Sequence, residues 1–311
     1  MRDIILTKTI LFMKKSYMML FGAMFALTAS AQGQSKYFHN GWRLDSLVTV
    51  ADDGYYMREV YSYDASGLLT SIYGEEFNGE VLFTSKSVMT YNEQGMTKSQ
   101  DLYRLVDGEF LLLARSEVTE YSAENGMPMV ILSSSAGNTP GSELLPLTKT
   151  VITKFNGLNF AEEELYTWLG GDWTKSGFST AEYNDQGLIV KLVEGVSYMG
   201  YETTSETTYE YDAHGYVTKD VYNSALGIPS TITYTNEYDA NDNLSMVTLV
   251  HDEFYTKRTH YYWSLGQGTA IQGIKAAGTD SRWYDLNGRR LPARPTQKGI
   301  FIRNGKKFVN R

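Results

Sequence analysis

The chain has 311 residues, 24 tyrosines, no cysteine and a formal net charge of -8. That charge is uneven, because residues 32–281 hold 15 Lys and Arg against 34 Asp and Glu, whereas residues 282–311 hold 9 against 1. The acidic body argues against a nucleic-acid partner, since affinity for phosphates comes mainly from Lys and Arg. The lack of cysteine excludes disulfides and a lipid anchor carried by a cysteine.

Residues 1–31 are predicted to be a signal peptide. Two lysines follow Met13, which we expect to be the true start, and an apolar run extends from Tyr17 to Leu27 before small residues end at Ala31. The run is about half the length of the roughly 20 residues that a membrane-spanning helix needs. The sequence therefore predicts a protein that is secreted or held on the outer-membrane surface, with no transmembrane segment after cleavage.

A short phrase recurs between residues 63 and 244: an aromatic residue, a polar stretch, a Gly or Asn, and an apolar residue. Most copies lie about 28 residues apart, a period typical of one repeated supersecondary unit. The phrases begin at Tyr63, Tyr91, Tyr121, Phe155, Tyr183, Tyr211 and Tyr238, and the turn positions are assigned to Gly67, Gly95, Gly126, Gly187, Gly215 and Asn243. Alternating residues on both sides predict a strand, a tight turn and a second strand, with positive φ at the Gly or Asn.

The phrase predicts an all-β fold for residues 32–263. Seven hairpins give about 14 strands in an antiparallel meander, because short turns join antiparallel neighbours. We expect an open or partly curled sheet, since repeats of unequal length are hard to close evenly, although the strands could also form a barrel. A surface loop is predicted between Ser133 and Pro146, and residues 161–166 are predicted as strand rather than helix.

The Tyr-Asp-x-x-Gly core of these phrases resembles that of YD-repeat proteins over about residues 55–262. The resemblance implies an array of β-hairpins. Large YD-repeat shells enclose a toxin, but seven units are too few to do so, and that function is not carried over.

Residues 264–281 are predicted to be a linker and residues 282–311 a small C-terminal β-hairpin module. Asn-Gly pairs at Asn287 and Asn304 are typical of type I′ turns. The module resembles the C-terminal sorting domain of the type IX secretion system of Bacteroidetes, through Tyr284, Asp285, Leu286, Asn287, Gly288, Arg289, Arg290, Lys298, Gly299, Ile300, Phe301, Ile302, Asn304, Gly305, Lys306 and Lys307. This resemblance implies that the secretion machinery is a partner; the alternative is a hairpin that caps the last repeat.

No catalytic, cofactor-binding or metal-binding residue is predicted. None of the four histidines has another ligand at metal-site spacing, and the common nucleophile and phosphate-loop motifs are missing from the sequence. Carboxylates near two tryptophans are compatible with the active site of a polysaccharide hydrolase. The other interpretation is a solvated acidic strand beside two aromatic residues used for packing. These residues are Glu162, Glu163, Glu164 and Asp172, with Trp168 and Trp173.

The sequence thus favours a non-catalytic binding protein whose ligand is a glycan or another protein. The excess of tyrosine suggests that an exposed, tyrosine-rich face makes the contact, because the rigid ring offers contact area at low entropic cost. Two alternatives remain: a structural stalk or envelope repeat protein, and a polysaccharide hydrolase.

Overall fold

The structure, a computed structural model, describes residues 37–39, 41–77, 79, 81–198, 201–224, 229–252, 255–265, 283–284, 290–291, 295, 299–303 and 306–310. The chain divides into two compact units, residues 1–266 and 267–311. The predicted signal peptide, and the predicted linker beyond Leu265, lie outside the described residues. Across the described ranges, no helix has the length and hydropathy required to cross a membrane.

Sixteen strands of the first unit, β2 to β17, form a closed antiparallel barrel. Each strand pairs with the next one along the chain, and β17 pairs with β2 to complete the ring. A short strand, β1 (Phe38–His39), pairs with the start of β2. The ring consists of β2 (Trp42–Ala51), β3 (Tyr56–Tyr63), β4 (Leu69–Phe77), β5 (Leu82–Tyr91), β6 (Thr97–Val106), β7 (Glu109–Tyr121), β8 (Pro128–Ser135), β9 (Leu145–Asn156), β10 (Asn159–Trp168), β11 (Trp173–Tyr183), β12 (Ile189–Tyr198), β13 (Tyr201–Tyr211), β14 (Val217–Asn223), β15 (Pro229–Tyr238), β16 (Leu244–His251) and β17 (Tyr255–Leu265).

The predicted open or partly curled sheet was wrong. The seven repeats supply β3 to β16, and the two strands outside the repeats close the ring, with Lys257 opposite Ala51 and Leu265 opposite Trp42. Closure removes both exposed edges, whose unpaired N–H and C=O groups would otherwise invite aggregation. The unequal repeat lengths do not prevent it, because the extra residues form a loop, 136–144, between the end of β8 and the start of β9.

The turns lie at two ends of the barrel. The seven repeat turns, from the β3–β4 turn to the β15–β16 turn, form one end, which we name the repeat rim. The other eight turns, from the β2–β3 turn to the β16–β17 turn, form the opposite rim. The rims differ in packing and in composition.

One face of the strands holds the buried core, and we take it as the inside of the barrel. Side chains alternate between faces, and residues directly opposite each other on paired strands share a face. The register places all the buried hydrophobic residues of the ring strands on this inner face: Leu44, Leu47, Tyr61, Tyr63, Leu69, Val118, Ile131, Ile152, Phe160, Ala181, Leu192 and Leu244. Barrels of 16 strands are wide enough to keep space between opposite walls.

The second unit is a four-stranded sheet of β18 (Trp283–Tyr284), β19 (Arg290–Leu291), β20 (Gly299–Arg303) and β21 (Lys306–Asn310). β18 pairs with both β19 and β20, and β20 pairs with β21. Of the residues that carry the sorting-domain resemblance, these strands contain Tyr284, Arg290, Gly299, Ile300, Phe301, Ile302, Lys306 and Lys307. The others, Asp285, Leu286, Asn287, Gly288, Arg289, Lys298, Asn304 and Gly305, lie outside the described residues, as do both predicted Asn-Gly turns.

Candidate functional site

The repeat phrase forms the tight turns of the repeat rim. In the first repeat, Asp64 Oδ1 accepts hydrogen bonds from the backbone N–H groups of Ser66 and Leu68, both at 2.9 Å. Gly67 follows with a φ of 88°, where a side chain would be strained. The other predicted turn glycines also have positive φ: Gly95, Gly126, Gly187 and Gly215. These side-chain bonds hold the pKa of Asp64 below its usual range although burial opposes them.

The seventh repeat departs from the predicted turn position. Asp242, rather than Asn243, has the positive φ of 67°. Asn243 is fully buried, and its backbone N–H donates to Asp239 Oδ1 at 2.9 Å. The carboxylate of Asp239 therefore closes the turn itself.

The repeat tyrosines lie on the inner face beside the repeat rim and tie neighbouring hairpins together. The Tyr183 hydroxyl donates to the backbone oxygen of Phe160 at 2.6 Å. Equivalent hydrogen bonds, from a tyrosine hydroxyl to a backbone oxygen, join Tyr63 to Leu44, Tyr91 to Leu69, Tyr121 to Thr97 and Tyr211 to Ile189. Tyr238 instead donates to the carboxylate of Asp212. Because these hydroxyls are used within the wall, the repeat tyrosines do not form the exposed binding face that the sequence suggested.

The carboxylates considered for a hydrolase separate onto two faces. Glu162 and Glu164 face outwards, and each lies 2.7 Å from a lysine, Lys154 and Lys175 respectively. Glu163 faces inwards, opposite Ser179. No pair of carboxylates therefore faces across a cleft beside the two tryptophans in the described part of the chain.

The tryptophans Trp168 and Trp173 pack against each other at the opposite rim. Their ring centroids lie 5.0 Å apart with the rings edge to face. The ammonium group of Lys149 lies 5.6 Å from the centre of the Trp173 ring. Asp172 accepts a hydrogen bond from the backbone N–H of Trp173 at 2.8 Å. These contacts stabilise the tip of the β10–β11 hairpin.

A serine, a histidine and an aspartate also meet at the opposite rim. Ser230 Oγ lies 2.6 Å from His251 Nε2, and Asp252 Oδ2 lies 3.2 Å from the same nitrogen. A catalytic triad needs the carboxylate on the other ring nitrogen, where it orients the imidazole. Asp252 also accepts the N–H of Thr231 at 2.8 Å, so the group fixes the end of the β15 strand and does not have the geometry of a triad.

The inner face carries carboxylates at mid-depth. Two are paired with tyrosines: Tyr61 donates to Glu59 Oε2 at 2.5 Å, and Tyr234 donates to Asp220 Oδ2 at 2.6 Å. Burial raises the pKa of Asp220, although the bond from Tyr234 opposes the shift. These two pairs place carboxylates and hydroxyl groups side by side on the inner face.

A second pair of carboxylates on the inner face, Glu163 and Glu194, has fewer hydrogen-bond partners. Glu163 and Glu194 lie on either side of Ser179 across three neighbouring strands. Burial raises the pKa of Glu163 to about 7, against a hydrogen bond with Ser179, and burial also raises the pKa of Glu194. Within the described residues, Glu163 Oε2 is shielded from solvent and has no hydrogen-bond partner. Among those residues there is no group of three or more His, Cys, Asp or Glu side chains that could hold a metal ion.

The inner face is closed towards the repeat rim and accessible towards the opposite rim. Beside the repeat rim, Tyr63 and Leu244 are buried. Beside the opposite rim, the inner-face residues Val196 and Thr203 are exposed, and Phe83 is half-buried. The lumen thus resembles a cup whose mouth is the opposite rim.

The opposite rim also carries most of the exposed apolar side chains. Eight of the eleven exposed large hydrophobic residues in the described part of the chain lie there, on five consecutive hairpins. We name them the apolar arc: Val81, Leu82, Leu105, Phe110, Leu145, Leu169, Val196 and Tyr201. In sequence, the eight turns of this rim contain eight Asp or Glu residues and no Lys or Arg. The mouth of the cup is therefore both apolar and acidic.

The outer wall is charged. Cross-strand ion pairs lie on it between Arg58 and Glu75, Asp101 and Arg115, Lys154 and Glu162, Glu164 and Lys175, Lys191 and Glu206, and Glu210 and Lys219. The Arg115 pair is bidentate, with both bonds at 2.7 Å. A wall in contact with lipid would instead present an apolar band about 25 Å tall. The described outer face has no such band.

No family model matches the chain, and no curated protein matches it. Among solved structures, the chain is similar to a porin-like protein from Bacteroides uniformis, with a TM-score of 0.45 and 12% identity over 71% of this chain and 96% of that one. It is also similar to a porin-like protein from Bacteroides vulgatus, with a TM-score of 0.37 and 8% identity over 71% and 98% of the two chains.

The resemblances to YD-repeat proteins and to the type IX sorting domain were wrong. The hairpins close into a barrel rather than an open array, and no model of either family matches the chain. Both resemblances rested on short turn phrases. Tyr-Asp-x-x-Gly and Asn-Gly supply the hydrogen bonds and positive φ that many hairpins need, whatever the architecture around them.

Sequence reasoning named Glu163 but missed its inward orientation, the other inner carboxylates and the apolar arc. The alternation of a strand places Glu163 on the face opposite to Glu162 and Glu164, and this signal was available in the three consecutive glutamates. The apolar arc had no comparable signal, because its members are scattered over five hairpins and come together only when the ring closes.

Proposed function

We propose that the protein is a non-catalytic binding protein of the cell surface or the extracellular space, and that it captures a basic, apolar segment of another protein at the opposite rim. The apolar arc is the single observation that carries this proposal. Isolated exposed hydrophobic residues are ordinary, whereas the concentration of eight of them on five consecutive hairpins of one rim is what an interaction surface would present.

The chemistry of the rim favours a protein over a glycan. Six of the eight arc residues are aliphatic and two are aromatic, whereas sugars are usually held by aromatic faces and polar groups. The turns around the arc have acidic side chains and no basic ones, so a complementary partner presents Lys or Arg beside its apolar residues. The same charge disfavours nucleic acids and anionic lipid surfaces.

The outer wall supports a body surrounded by water. A charged side chain on a lipid-facing wall costs roughly 2–4 kcal/mol at the middle of a bilayer, and this wall carries six charged pairs. We therefore expect the chain without residues 1–31 to remain monodisperse in buffer without detergent. A need for detergent, measured by light scattering, would contradict this part of the proposal.

Selection of phage-displayed 12-residue peptides against the immobilised protein tests the proposed partner. We expect the selected peptides to be enriched in Lys and Arg together with Leu, Ile and Phe, and to bind more weakly as salt rises, because the attraction is partly electrostatic. A selected pool without this bias would refute the proposal, as would binding to a glycan array with no peptide binding.

A matched pair of variants locates the surface. The triple variant Phe110→Ser, Leu169→Ser and Tyr201→Ser, all in the apolar arc, should weaken binding of the selected pool at least tenfold. Leu158→Ser removes a leucine of the repeat rim that is 53% exposed, against 63% for Leu169 in the arc, and should leave binding unchanged. Equal losses in both variants would place the contact elsewhere.

A further inference from the structure

Arg104 differs from the other arginines of the barrel strands because it has no anionic partner. The barrel strands contain five arginines, and the other four form ion pairs: Arg43 with Asp45, Arg58 with Glu75, Arg115 with Asp101 and Arg258 with Asp52. In the described part of the chain, no carboxylate lies within ion-pair distance of Arg104, and its guanidinium donates no hydrogen bond. Its N–H donors are therefore available to a ligand.

The Arg104 side chain faces the lumen near the mouth of the cup. A row of directly opposite residues leads from the buried Leu47 through Glu59, Gly74 and Ser85 to Arg104. Residues paired in this way share a face, so Arg104 projects inwards like Leu47. It lies two residues from the end of β6 at the opposite rim, about 7 Å along the strand. This depth is within reach of a partner that rests on the rim.

An aromatic ring holds the guanidinium in place. The Arg104 guanidinium carbon lies 4.4 Å from the centre of the Phe83 ring. Stacking uses the flat face of the guanidinium and leaves the donors at its edge free. Glu76, the carboxylate opposite Phe83, accepts a hydrogen bond from the Tyr55 hydroxyl instead. Arg104 and Phe83 are both only half-buried, so the site is accessible from the mouth.

The apolar arc lies on the other side of the same lip. Its members Leu82 and Leu105 are the strand neighbours of Phe83 and Arg104, and they face outwards because side chains alternate along a strand. A segment that packs on these leucines and crosses the rim therefore brings its end to Arg104.

We propose that Arg104 binds the terminal carboxylate of the segment captured at the apolar arc, so that the partner is recognised by its C-terminal end. This inference rests on the function proposed for the rim. A guanidinium edge offers parallel N–H donors, which match the two oxygens of a carboxylate. The acidic rim repels a phosphate dianion more strongly than a carboxylate with one charge.

The turn beside Arg104 predicts the residues that precede the carboxylate. Asp107 and Glu109 are exposed on the β6–β7 hairpin, between the outward-facing arc and the inward-facing Arg104. Asp107 follows Arg104 by three residues, about 10 Å of extended chain. A Lys or Arg about three residues before the C-terminus would therefore lie beside these carboxylates.

A library of short synthetic peptides, attached to beads through their N-termini and screened with the whole protein, tests the inference. Selected sequences are resynthesised with a free C-terminal carboxylate and with a C-terminal amide. We expect the free acids to bind about tenfold or more tightly than the amides, since hydrogen bonds between charged groups are strong. In Arg104→Gln this preference should disappear while the affinity of the amides is unchanged.

Arg58→Gln serves as the control, because it removes the same charge from the outer wall and should retain the preference for the free acids. Equal affinity of acids and amides for the wild type would overturn the inference, as would a preference that persists in Arg104→Gln. If acids and amides bind equally and both are lost in the triple arc variant, the rim function stands and only the role of Arg104 falls. If no peptide of either form binds, the function proposed for the rim fails and this inference fails with it.

Discussion

Replacing Glu163 by Gln should change how the stability of the barrel depends on pH. Burial raises the pKa of this carboxyl from 4.5 to about 7 in the folded chain. The folded state then binds more protons than the unfolded state between these values, so stability is lost as the pH rises through that window. Glutamine is neutral at every pH and removes this contribution.

The expected magnitude follows from the shift. A difference of about 2.5 pKa units, at 1.36 kcal/mol per unit, corresponds to about 3 kcal/mol. We therefore expect the free energy of unfolding of Glu163→Gln, relative to that of the wild type, to be about 3 kcal/mol larger at pH 8 than at pH 4. Comparing the two pH values cancels the difference in packing between a carboxyl and an amide.

Urea unfolding of both proteins at several pH values between 4 and 8 measures this difference. Glu162→Gln serves as the control, because its carboxylate lies on the outer wall beside Lys154, and its pH dependence should follow that of the wild type. If Glu163→Gln and wild type keep a constant difference in unfolding free energy from pH 4 to pH 8, the burial argument for Glu163 fails.

Three further substitutions test the wall and the turns by thermal or urea unfolding. Tyr183→Phe removes the hydroxyl that donates to the Phe160 carbonyl and should cost about 1 kcal/mol; no loss would mean that this bond contributes nothing to holding adjacent hairpins. Gly195→Ala introduces a methyl group that overlaps the Phe178 ring and should cost about 1–3 kcal/mol, with recovery when Phe178 is also replaced by Leu; no recovery would point to backbone strain instead. Asp64→Ala should cost about 1 kcal/mol at neutral pH, and this cost should fade as the pH drops through the lowered pKa of the carboxyl; a cost that stays constant in acid would contradict the role of the charged form.

The local structure was accessible from the sequence because each hairpin is specified by residues close to one another. The bond from Asp64 to Leu68 spans four residues, and Gly67 adopts a φ that few other residues tolerate. Residues 161–166 were assigned to a strand by period alone, and they lie in β10. Alternation and turn chemistry suffice for such short-range features.

Closure of the barrel could not be predicted from the sequence in the same way. It requires Thr49 to lie beside Thr259, 210 residues later, where their hydroxyls are 2.9 Å apart. Whether the last strand meets the first depends on the tilt and stagger of all sixteen strands together, and no local phrase encodes that sum. The candidate sites follow from closure, because the apolar arc and the mouth that Arg104 faces exist only once the ring has formed.

The contact between β17 and β2 also has a consequence for how the chain reaches its native state. Joining two segments about 210 residues apart carries a loop-closure entropy roughly 2.7 kcal/mol larger than closing a ten-residue hairpin. Hairpins can form early, but β17 cannot pair fully with β2 until Leu265 has been synthesised or exported. Because the first and last strands end as neighbours, a circular permutant that joins them and starts within loop 136–144 should refold to the same ring.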